Sequence, residues 1–426
     1  MNRSATVSAA AGTFSPQRTL LRLDNHGYSP AVLEMIAEAA GKLQSFADAS
    51  FALRLAGVSI SSRHTGRIAH EIGGEMVQQR NDKAIQHRRR QLSARVAAPP
   101  EVVAVEVDGG RLRTRAVGCG PGVHQAKNKE DKVACLVTLK SVRYEQDPQP
   151  EPPLSFLEPR RVQRLVKKIK GLPGEHPAEV AEAEEKTEAS GSQKKSRRVK
   201  ESPVRLVRTC VASMQTSRSF GPLVAAEAKE RDFYRAKRRA YLGDGAAYNW
   251  SIQRGYFPDF EPIVDLLHVL CYIYLGAWAI GSAEQTHWSL YLAWLRLCWQ
   301  GRVSEVIEEM RVGQGKVGKP QAGEKLKEYD PRRLVAEALS YLRNNEQRMD
   351  YPRYRKEGLP ITSSLVESLV GEFNTRVKGP QKFWNRPKGE GAETILQIRA
   401  AVLSEDERLS RHLAQRPGSP YRRKPT

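Results

Sequence analysis

Near residue 100 the hydrophobic period of this chain changes, and that change restricts its possible folds more than any other feature. Up to about residue 95, apolar residues recur in steps of three and four, as in "SPAVLEMIAEAAGKLQSF". This is the period of a helix with one buried face. From residue 101 they alternate. "EVVAVEVDGG", "RLRTRAVG" and "DKVACLVTLKSVRYE" read as three antiparallel strands, with Gly109 and Gly110 supplying the first turn. Helical patterns return further on, so the fold class expected is α/β. A chain of 426 residues has room for several domains and a sizeable core.

The helical start has internal punctuation. "SPAVLEMIAEAAGKLQSF" opens on a Ser-Pro helix entry, and "FADASFALRLAG" is a second helix ended by Gly57. "VSIS" is a short turn. "SRHTGRIAHEIGGEM" is a third helix, with Ser61 or Ser62 as N-cap and Ile68 and Ile72 facing inward. Helix, turn and helix, with Arg63, His64, Thr65 and Arg67 early on the later helix, suggest a helix-turn-helix. In that motif those positions meet base edges and phosphates. An ordinary helical hairpin is the alternative. "QQRNDKAIQHRRRQLSAR" reads as a basic link to the next domain.

Charge points the same way. Lys plus Arg number 69 against 48 for Asp plus Glu, a net charge of +21. That excess attracts polyanions, and nucleic acid is the partner expected, double-stranded DNA where a helix-turn-helix reads it; a basic ribosome-associated or merely soluble protein is the alternative. The five cysteines form no CxxC pair, so neither a zinc ribbon nor a disulfide framework is indicated. They read as reduced thiols in a cytoplasmic, nucleoid-associated protein. Cys119 and His124 in "GCGPGVH" read as a plain loop. The most apolar stretch, "IVDLLHVLCYIYLGAWAIG", carries Asp265 and His268 and reads as strand plus helix rather than a membrane span.

Two carboxylates stand out by context. Asp108 ends one apolar strand and is followed by Gly; Asp244, in "AYLGDGAAYNW", ends another and is also followed by Gly. Small residues there leave room for a ligand at strand ends, where open sheets place their sites. A third acid, Glu367, lies between apolar residues in "ITSSLVESLVGEFNTRVKG", a helix capped by Thr362, Ser363 or Ser364. Glu367, Gly371, Asn374 and Lys378 share one stripe of that helix, while Phe373 and Val377 face the core. Glu357 and Glu372 are nearby competitors. Three carboxylates without Cys or His suit hard cations, and two Mg²⁺ ions support phosphodiester cleavage. Mn²⁺ would serve in the same site.

"VEVDGGRLRTR", "SFGPLVAAEAKERDFYRAKRRAYLGDGAAYNW", "FEPIVDLLHVLCYIY" and "ITSSLVESLVGEFNTRVKGPQKFWN" together resemble bacterial insertion-sequence transposases of the DDE type, Mutator-related, with an RNase H-like catalytic core. The resemblance spans about residues 30 to 405. It implies Asp108, Asp244 and Glu367 as the catalytic and metal-binding acids. It also implies an all-helical insertion before the glutamate, and a homo-oligomer acting on element ends and target DNA. Asp265 and His268, spaced "DLLH", would support the site or satisfy each other as a buried pair. Arg63, Arg67, Lys378, Lys382, Arg386, Lys388 and Trp384 are candidate DNA contacts; a solvated basic face, and a packed Trp384, are the alternatives.

The organisation expected is therefore a disordered N-terminus (1–29), a helical DNA-binding domain (30–95) and a first core segment (101–145). A flexible insertion (146–201) follows, then a second core segment (202–283), a helical insertion (284–360), a final core helix region (361–404) and a basic tail (405–426). Within the flexible insertion, residues 172 to 198 carry too little apolar surface to build a core. A nuclease without strand transfer and a non-catalytic DNA-binding protein are the rival functions.

Overall fold

The computed structural model describes residues 20–115, 127–171, 203–281, 283–321, 323–379, 382, 384 and 390–416. The chain divides into two compact units: 1–79 with 113–127 and 373–426, and 80–112 with 128–372.

The larger unit holds a five-stranded sheet in the order β3-β2-β1-β4-β5. Its strands are β1 (Val102–Thr114), β2 (Lys127–Lys140), β3 (Val204–Ser213), β4 (Arg238–Gly243) and β5 (Glu261–Val264). β2 and β3 run antiparallel, whereas β1, β4 and β5 run parallel. The chain is thus mixed α/β, as its periods indicate. Two details depart from the expected strands. β1 runs unbroken through Asp108, Gly109 and Gly110, so no turn forms there. A Cβ at Gly109 would stand 3.0 Å from the Tyr248 hydroxyl and 3.1 Å from Glu130 Oε1, so this glycine serves a close approach instead. "VRLVRTCVAS", whose basic and apolar residues give no clean period, is β3, because its β-branched residues pair along β2 from Val204 to Ser213.

The parallel strands β4 and β5 each lead to a helix. After β4 comes Ala247–Tyr256, and after β5 comes Leu266–Ile280, buried along most of its length. The helices Glu284–Trp299, Val303–Val317 and Pro331–Asn345 follow. Trp294 and Trp299 are buried, whereas Trp288 is half-exposed and stacks on Tyr291. Residues Pro159–Lys170, inside the segment expected to be flexible, form a helix anchored by buried Val162 and Val166. Those two valines, one helical turn apart, offset its otherwise charged composition. Residues 172–202 lie outside the described residues.

The smaller unit is helical. Pro30–Lys42, Phe46–Leu55 and the first part of Ser62–Arg88 pack with Glu390–Leu403 and Arg408–Gln415. Leu33, Ile36, Leu53, Ile68, Ile72, Met76, Ile398, Leu409 and Leu413 form their common core. Ile68 and Ile72 face inward as their spacing requires, and Ser61 Oγ accepts from His64 N at 3.2 Å as the N-cap. Gly73 permits close helix contact, since a Cβ there would meet the Thr394 backbone. Part of the basic tail is therefore structural, with Leu409 and Leu413 on one face of its helix and Arg416 paired with Asp24, Glu71 and Glu75.

The helix Ser62–Arg88 continues ten residues and more past the expected end. Its last third belongs to the larger unit, where Arg80 donates to the Ala212 carbonyl at 2.9 Å and Lys83 pairs with Glu230 at 2.8 Å. Buried Ala84 adds an apolar contact. These interactions hold as a helix what charge alone suggested to be a link. Among the described residues, no helix is long and apolar enough to cross a membrane.

Candidate active site

Adjacent parallel strands bring the first two acids together. Val107 on β1 pairs in register with Gly243 on β4, so Asp108 and Asp244 are the next residues along the chain; Asp244 lies just past β4 as expected, but Asp108 lies within β1 rather than at its end, because the strand continues to Thr114. Burial and the Asp244 charge push the Asp108 carboxyl up to about 6. Asp108 Oδ1 accepts from the Gly109 amide at 2.7 Å.

Asp244 is fixed from several sides. Its Oδ1 accepts from Ala246 N and from Asn249 Nδ2, each at 2.8 Å. Its backbone carbonyl accepts from the Tyr341 hydroxyl at 2.9 Å. Gly245 takes φ +93°, the left-handed region, and a Cβ there would collide with the Tyr341 ring. The "GDG" spelling thus has a backbone cause. Asn249, fully buried, also reaches the Val107 carbonyl at 3.3 Å, so one amide ties Asp244 to the residue before Asp108. Both of these side-chain hydrogen bonds fall on Oδ1.

Asp265 follows β5 and is almost completely buried. Its Oδ1 accepts from Leu267 N at 3.1 Å and Ser363 N at 3.0 Å, and its Oδ2 from the Ser363 hydroxyl at 2.6 Å. His268 Nε2 stands 3.8 Å from Oδ2, a loose contact. The Asp265 backbone amide donates to the Gly243 carbonyl at 2.9 Å, and Leu266 N donates to Ile361 O at 3.0 Å. Asp265 therefore ties the segment leading into the helix Ser364–Val377 to the strand end that precedes Asp244. It is a positioning residue, and the "DLLH" spacing reflects an N-cap more than a tight ion pair.

Glu367 lies on Ser364–Val377, but its side chain is outside the described residues. Further along that helix, Phe373 and Val377 are buried, as the stripe requires, and Asn374 and Lys378 are half-buried. Lys382 caps the helix: its ammonium donates to the Thr375 and Arg376 carbonyls, both at 3.1 Å. Trp384 is held by its own backbone bridge to Thr114, and its indole N–H donates to Val377 O at 2.9 Å. Both residues thus have structural work within the smaller unit. Arg386, Lys388, Cys119 and His124 lie outside the described residues. At the start of Ser62–Arg88, Arg63 and Arg67 are exposed, whereas Thr65 is buried and bonds Ser61 O, so it presents no group to DNA.

Two site neighbours escaped the sequence reading. Glu106 is two residues before Asp108, hence on the same face of β1, and it is fully buried with neither carboxyl oxygen hydrogen-bonded. Burial, with the Asp265 charge added, pushes its carboxyl well above the usual range. A glutamate inside "VVAVEV" is the signal that was there to be read. Tyr248, beside Gly109, is the second; burial and the nearby acids Asp244, Asp108 and Glu130 keep its phenol protonated.

Among the described residues, no group of three His, Cys, Asp or Glu side chains forms a complete metal cage. Asp108 and Asp244 supply two hard oxygen donors without a Lys or Arg ion pair to neutralise them. That donor chemistry fits a divalent cation such as Mg²⁺. No protein-family model matches the chain, and no curated protein matches it either.

Proposed function

We propose that this chain is a DNA transposase of the DDE type, with an RNase H-like core carrying Asp108, Asp244 and Glu367. The observation that carries the reading is the pair Asp108 and Asp244, which directly follow the last paired residues, Val107 and Gly243, of the parallel strands β1 and β4. The strand order β3-β2-β1-β4-β5 supports it, because an RNase H-like sheet has this order, with its second strand antiparallel to its first and third. The three helices Glu284–Trp299, Val303–Val317 and Pro331–Asn345 stand where the resemblance asks for a helical insertion. Glu367 enters by its place on a helix whose entry Asp265 fastens beside Gly243.

Asp108 and Asp244 would hold the cations, with Glu367 as the third ligand. When bound, two Mg²⁺ ions supply charge stabilisation to the attacking and leaving oxygens of a phosphodiester. The chain's own residues do the rest. Asn249 ties Val107 on β1 to Asp244, Tyr341 and Gly245 fix the turn after Asp244, and Asp265 positions the last helix. Hydrolysis at each element end would break the P–O3′ bond and leave a 3′ hydroxyl. That hydroxyl would then displace a 3′ oxygen at a target phosphate, so no covalent protein intermediate is needed. The net charge of +21 serves to hold the DNA.

The test is a reaction of purified protein with Mg²⁺, DNA carrying the inverted repeats that flank its gene, and a target plasmid. Joined products support transposition. Cleavage without joining would reduce the protein to a nuclease, and absence of both at saturating DNA would leave a binding protein.

End recognition is expected to rest on Arg63 and Arg67, exposed in the first two turns of their helix. Changing both to Ala should weaken binding to end DNA by about 10-fold or more, and to random DNA far less, because a bidentate base contact carries about 1–3 kcal/mol of discrimination. Competition gel shifts would measure it. Equal losses on both DNAs would make these arginines backbone clamps.

A further inference from the structure

The helix Pro159–Lys170, "PRRVQRLVKKIK", has six cations and no acid. Arg160, Arg164 and Lys168 fall at successive i, i+4 positions, and Arg161 lies beside them. All four are exposed. Like charges at that spacing destabilise a helix. Elsewhere the chain pairs such cations on its helices: Arg302 with Glu305, Arg333 with Glu337, and Lys42 with Glu38. Among the described residues, Arg160, Arg161, Arg164 and Lys168 have no acidic partner. The last-turn cations gain from the helix dipole, but Arg160, Arg161 and Arg164 sit in the first half, where the dipole opposes them.

The opposite face is already used. Val162 and Val166 are buried, so no apolar stripe is left to enter a lipid surface. The end of the helix is tied to the acidic site by a chain of contacts. Lys170 donates to the Tyr272 hydroxyl at 2.7 Å and lies 4.1 Å over its ring. Tyr272 stacks on Tyr341 with centroids 3.8 Å apart, and Tyr341 donates to the Asp244 carbonyl. The cationic row therefore begins a few side chains from the second acid.

We infer that the helix Pro159–Lys170 is a phosphate rail that binds the backbone of the DNA strand entering the acidic site, through Arg160, Arg161, Arg164 and Lys168. The inference rests on the transposase reading for the identity of the polyanion, while the rail itself rests on charge and placement. Its contacts are to phosphates, so it adds affinity and salt dependence without sequence preference.

The test uses the full chain and a variant with Arg160→Ala, Arg161→Ala, Arg164→Ala and Lys168→Ala combined. Alanine favours a helix, and an unchanged unfolding midpoint would show that the fold is kept. Binding to random-sequence duplex DNA is measured across a salt series. Each lost phosphate contact lowers the slope of log affinity against log salt by about 0.9, so a fall of about 3–4 is expected, with at least about 10-fold weaker binding at low salt. An unchanged slope and affinity would overturn the rail. So would a loss confined to single-stranded RNA or to acidic peptide probes. A wild-type protein that shows this slope dependence but cuts nothing with Mg²⁺ would refute catalysis and leave the rail standing. Wild-type cleavage with an unaffected variant would do the reverse.

Discussion

Asp108→Asn and Asp244→Asn should each leave DNA bound and uncut. Both carboxylates directly follow the last paired residues of the parallel strands β1 and β4, and each Asn keeps the shape while removing a charge that a divalent cation needs. Loss of one ligand takes several kcal/mol from transition-state charge stabilisation, so cleavage should fall by about 10³-fold or more. Affinity for DNA, measured by gel shift without metal, should stay the same or rise, because a negative charge is gone. A second readout does not depend on turnover. Mg²⁺ or Mn²⁺ should raise the unfolding midpoint of the wild-type chain and leave Asp108→Asn unmoved, since a ligand that binds the folded state stabilises it. Glu367→Gln should be equally inactive. Glu357 and Glu372 have other attachments: Glu357 pairs with Arg143 at 2.7 Å, and Glu372 reaches Arg208 at 4.0 Å. Their Gln variants should retain most cleavage. Full activity of Asp108→Asn or Asp244→Asn would end the catalytic assignment.

The parts of this fold that could be read in advance were those fixed by side-chain period. Ile68 and Ile72, the strand "RRAYLG" and the strand-to-helix passage at Asp265 follow from alternation and three-to-four spacing, which report one buried face directly. What could not be read was decided by partners distant in sequence. "DGG" has the residues of a turn, yet β1 runs through it because Tyr248 and Glu130 crowd Gly109. A glycine spared for close approach and a glycine spared for a turn are spelled alike. The helix Pro159–Lys170 looked like part of a polar insertion, since two buried valines are too few to mark a core until their packing partner is known. The tail helix Arg408–Gln415 was hidden in the same way, its order resting on Leu409, Leu413 and carboxylates from the other end of the chain.

The site divides along the same line. Asp108 and Asp244 were visible because a carboxylate beside glycine at the end of an apolar run is uncommon without a use. Asn249, Tyr341 and Ser363 were not, because they act through backbone carbonyls and a buried carboxylate that no local pattern announces. Glu106 is an intermediate case. Its position within the apolar run was plain, but only its complete burial beside Asp265 makes it part of the site's surroundings.

Asp265→Ala should be among the most destabilising single changes in the larger unit. The buried carboxylate accepts three hydrogen bonds, from Leu267 N, Ser363 N and the Ser363 hydroxyl. Alanine leaves those donors without an acceptor and opens a small cavity, for a cost of about 3 kcal/mol. The damage should pass to the site, because Ser363 immediately precedes the helix that carries Glu367. Asp265→Asn separates the structural task from any need for charge. Its amide oxygen can still accept from the two backbone N–H groups, and its amide nitrogen can donate to the Ser363 hydroxyl once that hydroxyl turns. The neighbouring Glu106, whose carboxyl the Asp265 charge pushes upward, would also be relieved. The Asn variant should therefore lose about 1 kcal/mol or less by the same accounting of hydrogen bonds, and keep most of its cleavage. Denaturant unfolding of the three proteins, with cleavage assayed well below their midpoints, decides between the roles. An Asn variant as stable as expected but inactive would move Asp265 from positioning into the metal-binding set. An Ala variant unfolding with wild-type stability would show that the bonds to Ser363 do not hold the helix entry at all.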